Sequence, residues 1–151
     1  MKIKKIACVI PVLLSLSNYA GAGQDNSALN IDREQVIRNY IVDLERADAE
    51  GISALFEEGG TVISTSRGNV NAKEFFNGFL PEIESASTEF HQSFINTVDN
   101  NSYAARFNFK FKLKDGETGD GEYIDEFKFS NNSAKLTSVY MFENLKFKAT
   151  N

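Results

Sequence analysis

Two hydrophobic periodicities divide the chain. Val36, Ile37, Tyr40, Ile41 and Leu44 recur at three- and four-residue intervals, which predicts a helix with one apolar stripe. Asp32, with Gln35 three positions on, gives that helix a capping-box-like start. Asp48 predicts the cap of a second, short helix through Ile52, Ala54, Leu55 and Phe56, stopping before Gly59 and Gly60. Thr61 to Thr65 is a β-branched run and predicts a strand. After a turn at Arg67 and Gly68, Asn71 can cap a third helix that buries Phe75, Phe76, Phe79 and Leu80 and ends at Pro81. From Thr88 the period becomes two. Strands are expected over Glu89 to Val98, Tyr103 to Lys114, Tyr123 to Phe129 and Lys135 to Phe142, joined by a turn at 99–101, a glycine-rich loop over 115–121 and a turn at 130–133.

Helices first and long antiparallel strands afterwards give an α+β fold, because a sheet with one apolar face needs helices segregated to that side. The expected form is a cone-shaped roll of the cystatin-like α+β barrel type, a strongly curved antiparallel sheet packed on three N-terminal helices. Its concave face would enclose a cavity.

The ends of the chain modify this picture. Lys2, Lys4 and Lys5, an apolar run from Ile6 to Leu16 and the small residues Ala20, Gly21 and Ala22 read as an export signal over 1–22, cleaved after Ala22. The apolar run falls short of the roughly 20 residues a membrane span needs. Residues 23–30 read as a flexible tail and 31–147 as one domain. The mature protein is then periplasmic or secreted, with no membrane partner once the signal is gone. Of sixteen Lys and Arg, three go with the signal, which leaves thirteen against twenty-one acids and a net charge of −8. That balance argues against a nucleic-acid partner. The single cysteine, Cys8, lies inside the signal, so the mature chain has no disulfide and no cysteine-based chemistry. A lone histidine rules against a histidine-cluster metal site, and the acids of 115–121 lack the spacing of a calcium loop, so neither a metal nor a cofactor is expected.

The candidate chemistry starts at Tyr123-Ile124-Asp125-Glu126-Phe127-Lys128-Phe129. Side chains alternate along a strand, so Asp125 shares a face with Tyr123, Phe127 and Phe129. A carboxylate there is costly unless it is paired, hydrogen-bonded or protonated. Two readings are open: a structural acid satisfied by a backbone amide or a lysine, and a pocket acid. Tyr40, within the first helix's stripe, is likewise either core filler or a buried phenol donating into a pocket. On the strand over 103–114, Arg106, Lys110, Lys112 and Lys114 face away from the phenylalanines. Opposite Glu122 and Glu126 they read as a paired, solvated face.

Val36 to Tyr40, Asp48 to Phe56, Gly60 to Val62, Gly68 ahead of Phe75 and Phe76, Ile124 to Phe129, and Lys135 to Phe142 together resemble the nuclear transport factor 2-like, or SnoaL-like, superfamily. That group includes steroid delta-isomerases, polyketide cyclases and scytalone dehydratase. The local pattern is similar to that of the ketosteroid isomerases. Tyr40 falls at their oxyanion tyrosine and Asp125 at their protonated aspartic acid, a pair that holds a developing enolate. Ser64 stands where the resemblance implies an aspartate base, and a hydroxyl cannot replace it without a base of its own. Phe90 to Asn96 resembles the strand that carries a pocket histidine in SnoaL-like members, which makes His91 a candidate base; Phe90 and Phe94 occupy the opposite face, so if those two fill the core His91 points to solvent instead. Catalytic candidates are thus Tyr40, Asp125 and His91, and ligand contacts are expected at Ser64, Phe76, Phe127, Val139 and Met141. The expected partner is a small hydrophobic molecule, bound with or without catalysis by an isomerase, cyclase or dehydratase route. A third use of the fold is non-catalytic pairing, a homodimer through the outer face of the sheet.

Overall fold

The computed structural model describes residues 24–144; the expected signal and the last residues of the expected domain lie outside them. Helix α1 spans Gln24–Arg46 and α2 spans Ala49–Ala54, followed by β1 (Phe56–Ser64), β2 (Gly68–Asn71) and α3 (Ala72–Phe79). After a single 3₁₀ turn at Leu80–Glu82 come four long strands, β3 (Ile83–Ile95), β4 (Ser102–Leu113), β5 (Thr118–Phe129) and β6 (Leu136–Asn144).

The caps anticipated for the short helices are present. Asp48 accepts from the Gly51 amide at 2.8 Å and Asn71 from the Glu74 amide at 3.3 Å. At the first helix the expectation needs correction. Residues 24–30 are helical rather than an irregular tail, so Asp32 sits inside α1 and caps nothing. Two long-range ties hold this early part of the helix: Tyr103 donates to Asn30 at 2.8 Å, and the buried Arg33 binds two distant turns. Such tertiary bonds override a local start signal.

All six strands form one sheet in the order β2-β1-β6-β5-β4-β3. It is mixed rather than wholly antiparallel, because β1 and β6 run parallel. The chain leaves β1, builds four other strands and two turns of helix, and returns beside it, a pairing that short-range periodicity does not encode. β2, too short to show a period, was not anticipated. The sheet is curved, and register irregularities at Ile83/Ser85 and Phe90/Gln92 between β3 and β4 supply the local bending expected of bulges.

Inside the curve, Tyr103, Ala105, Phe107 and Phe109 of β4 meet Asp125, Phe127 and Phe129 of β5 and Val139 and Met141 of β6. Ile37, Tyr40, Ile41 and Leu44 of α1 and Phe75 and Phe76 of α3 cover them. On the outer face, Arg106 pairs with Glu122 at 2.9 Å, as the cross-strand reading anticipates, while Lys110 pairs with Asp120 at 3.4 Å and Lys112 with Glu84 at 2.6 Å rather than with Glu126. The β5–β6 part of that face differs: Ile124, Tyr140 and Phe142 are exposed there, with the Tyr140 and Phe142 rings stacked at 4.6 Å.

Candidate functional site

The helical stripe places Tyr40 over the middle of β5, and the strand's alternation turns Asp125 up toward it. The Tyr40 hydroxyl donates to Asp125 Oδ2 at 3.0 Å, with both side chains essentially without solvent exposure. Edge-on contacts with Phe127 (5.1 Å) and Phe76 (5.9 Å) fix the phenol ring. Asp125 lies between Ala105 and Met141 on the neighbouring strands, so no basic side chain flanks it. Its second oxygen, Oδ1, is buried and has no hydrogen-bond partner among the described residues.

Burial is the main reason the Asp125 carboxyl is pushed up to about 8. The charge of Glu143 adds to that rise, and the Tyr40 hydrogen bond works against it. Tyr40 is raised well above the ordinary phenol value, by burial first and then by Asp125. At neutral pH the pair is therefore a phenol and a carboxylic acid. Because Oδ2 accepts from Tyr40, the acid proton belongs on Oδ1, where it becomes a donor in search of an acceptor.

That donor borders a cavity of about 810 Å³. Tyr40, Asp125 and Met141 form its floor, and Leu44, Phe75, Phe107, Phe109 and Tyr123 its walls. Its rim carries Arg67, Glu143 and the β4–β5 turn from Glu117. The guanidinium of Arg67 stacks over Phe75 at 5.4 Å. Thr65 donates to Glu143 Oε2 at 3.3 Å. Tyr123 is pushed up to about 12, chiefly by burial and then by the charge of Glu143.

The space exists because of glycine. Gly119 and Gly121 occupy the inward-facing positions of β5 that continue the Tyr123–Asp125 face, and the rings of Phe111 and Tyr123 lie over them. A Cβ on Gly119 would collide with the Phe111 ring, and one on Gly121 would sit 3.3 Å from the Tyr123 ring. Residues 118–121, expected as loop, are thus the wide end of β5.

Of the residues singled out from the sequence, the structure brings Tyr40, Asp125 and Met141 together around the cavity. It does not bring His91. That side chain is exposed on β3 at the irregularity between Phe90 and Gln92, and the half-buried Phe90 carries the guanidinium of Arg38 at 4.3 Å. Phe76, Phe127 and Val139 are wholly buried core residues outside the lining, since their neighbours pack directly against them. Ser64 also lies outside it: its Oγ accepts from the Arg67 amide at 3.2 Å and tightens the β1–β2 turn. Arg67, Glu143 and the Gly119–Gly121 pair were missed. Only the alternation Gly119-Asp120-Gly121-Glu122, in phase with Tyr123 and Asp125, carried a signal for them. Among the described residues no group of three or more His, Asp or Glu could hold a metal ion.

No protein-family model matches the sequence, and no curated protein matches it either. Solved structures do match. One is a protein of ketosteroid isomerase-like fold from Catenulispora acidiphila, determined with trimethylamine: 10% identity, TM-score 0.58, covering 72% of this chain and 84% of that one. The chain has the nuclear transport factor 2-like fold. A scytalone dehydratase-like protein from Novosphingobium aromaticivorans matches at 14% identity and TM-score 0.62, over 81% of this chain and 89% of that one. A type 2 hexachlorocyclohexane dehydrochlorinase matches at 10% identity and TM-score 0.65, over 82% and 90%. At such identities the likeness concerns the nuclear transport factor 2-like fold alone, which hosts many chemistries.

Proposed function

We propose that the mature protein, exported by its N-terminal signal, binds a small, largely apolar carbonyl compound in the cone, with the carbonyl oxygen seated between Tyr40 and the neutral Asp125. The observation that carries this reading is the unpartnered, fully buried Asp125 Oδ1 at the floor of an aromatic-walled cavity. A buried donor without an acceptor costs about 1–3 kcal/mol, which a ligand oxygen would recover. Aromatic walls suit a flat or alicyclic body.

Thermal melts with a panel of hydrophobic ketones, 2-tetralone and 2-indanone among them, and fluorescence titration with 2-naphthol as an oxyanion probe test the reading. Saturating ligand should raise the melting temperature, since binding to the folded state alone at a hundred times Kd adds about 2.7 kcal/mol. Asp125→Leu should abolish the shift. A wild-type protein that binds none of the panel would remove the proposal.

A catalytic reading is supported by the same pair and by the names of two fold neighbours, a dehydratase and a dehydrochlorinase. It takes the protein as an isomerase or lyase of a small carbonyl compound, with Tyr40 and Asp125 stabilising an enolate-like oxygen. What it needs is a base, which neither Ser64 nor His91 supplies.

A further inference from the structure

Tyr40 and Asp125 give the cavity one polar pole, and its size asks for a second. Its volume, about 810 Å³, is that of a pocket for a drug-sized ligand and exceeds what a two-ring ketone at the floor would fill. A ligand that occupies the space therefore reaches the mouth, where the aromatic walls give way to charged side chains. Besides Asp125, the charged lining residues are the carboxylates Glu117, Asp120, Glu122 and Glu143 and a single cation, Arg67. The carboxylates are engaged elsewhere or lie in solvent. Asp120 and Glu122 pair with Lys110 and Arg106 on the outer face, Glu143 accepts from Thr65, and Glu117 is exposed in the turn before β5. Arg67 makes no ion pair among the described residues.

Two elements hold Arg67 at the mouth. Its amide donates to Ser64 Oγ, which tightens the turn between β1 and β2, and its guanidinium lies over the ring of Phe75 on α3. About one helical turn on, Gly78 leaves the backbone of α3 bare: a Cβ there would stand 3.2 Å from Arg67 Nη1. Stacking on an aromatic ring occupies the face of a guanidinium and leaves its edge, a rigid fork of N–H donors that matches the two oxygens of a carboxylate.

We infer that the ligand of this site is an elongated apolar anion, with a carbonyl or hydroxyl oxygen at the floor against Tyr40 and Asp125 and a carboxylate at the mouth on Arg67. The inference rests on the proposal that an oxygen occupies the floor, and it supplies the chemistry of the far end. Burial fixes the direction. The floor is closed to solvent, and a charge brought there loses its hydration, whereas Arg67 is exposed and lets a carboxylate keep part of its water.

Fluorescence titration with three probes on one ring system tests this. In 6-hydroxy-2-naphthoic acid the carboxylate lies at the far end from the hydroxyl; its methyl ester keeps the length without the charge; in 3-hydroxy-2-naphthoic acid the carboxylate adjoins the hydroxyl. The wild type should bind the 6-hydroxy acid about fivefold more tightly than the ester, the scale of a good solvent-exposed ion pair, and more tightly than the 3-hydroxy acid. Arg67→Gln should bring the 6-hydroxy acid and its ester to equal affinity, and Arg67→Lys should keep part of the difference. Each ratio compares two probes on one protein sample, so a general loss of fold does not mimic it, and should Arg67→Gln fail to fold the two wild-type comparisons still decide. A wild type that binds acid and ester alike, or the 3-hydroxy acid as tightly as the 6-hydroxy acid, overturns the Arg67 subsite and leaves the floor reading intact. A preference for the acid that survives in Arg67→Gln overturns it too, because the carboxylate is then held elsewhere. A wild type that binds neither these probes nor 2-naphthol removes both.

Discussion

Asp125 makes its own stability measurable through pH. Its ordinary value is 3.8 and its folded value about 8, so between these limits the folded chain holds a proton that the unfolded chain has released. The contribution is fully present below about pH 4, is lost as pH rises toward 8, and changes no further above that; the whole effect is several kcal/mol. Tyr40, Tyr123 and Glu143 are the titratable groups facing it. Asn at this position keeps an acceptor for Tyr40 and a donor toward the cavity without a proton to lose. Urea unfolding of Asp125→Asn and wild type at pH 5 and 8.5 should show the variant gaining by several kcal/mol at the higher pH. A difference that does not move with pH would mean the carboxyl is ionised in the fold. Arg33 is the opposite case, a buried charge that pairs with no carboxylate among the described residues. Its guanidinium donates to the carbonyls of Ser133 (3.0 Å), Asn100 (2.7 Å) and Ser130 (2.8 Å) and to Asn101 Oδ1 (2.9 Å), and lies over Phe129 at 5.2 Å. Arg33→Met fills the volume but leaves four acceptors unpaired, so the denaturation midpoint should drop by the equivalent of about 3 kcal/mol or more. Arg33 lies in the same helical stripe as Ile37 and Tyr40. Nothing local in the sequence announces that two turns, 67 to 100 residues away, will supply its acceptors.

The strands show where sequence patterning suffices and where it fails. In β4 and the second half of β5, strict alternation placed Phe107, Phe109, Asp125, Phe127 and Phe129 on the inner face, and the structure has them there. In the first half of β5, glycine breaks the alternation, and composition points to a loop while the register with β4 runs unbroken from Thr118. The parallel β1–β6 pair was illegible for a different reason: a strand shows its own two faces but not the direction of a partner 77 to 80 residues away. Tyr40 and Asp125 could be proposed as a pair only through a family resemblance, whereas Glu143 and Arg67 depend on how β6 and the β1–β2 turn meet the rim. The glycines also carry a prediction. Gly119→Val gives β5 a better strand former, but its side chain must displace Phe111 into the cavity mouth. Affinity for 2-naphthol should fall tenfold or more, with a melting temperature within a few degrees of wild type. Unchanged affinity would place the ligand elsewhere than between Gly119 and Asp125.

The molecule as a whole presents two faces of unlike character at the same sheet. Across β3 to β5 the outer surface is closed by three cross-strand ion pairs, which compete poorly with water as a binding surface. Across β5 and β6, Ile124 faces Phe142 in register and Tyr140 stacks on Phe142, each about half exposed. A polar rim around an apolar centre is the arrangement of an association surface, and a second copy of the chain meeting it about a two-fold axis would set aromatic against aromatic. The expected acidic charge of the mature chain opposes such pairing at long range, so the dimer should tighten as salt screens that repulsion while the apolar contact remains. Light scattering at micromolar concentration in 0.05 and 0.3 M salt should give twice the mass of the chain at the higher salt. Phe142→Glu buries a charge at the centre of the contact and should yield a monomer at both. Because Phe142 points away from the cone, the same variant should bind 2-naphthol as the wild type does, which separates loss of the interface from loss of the fold. A wild type that scatters as a monomer at both salt concentrations would leave Ile124, Tyr140 and Phe142 as exposed residues without this partner.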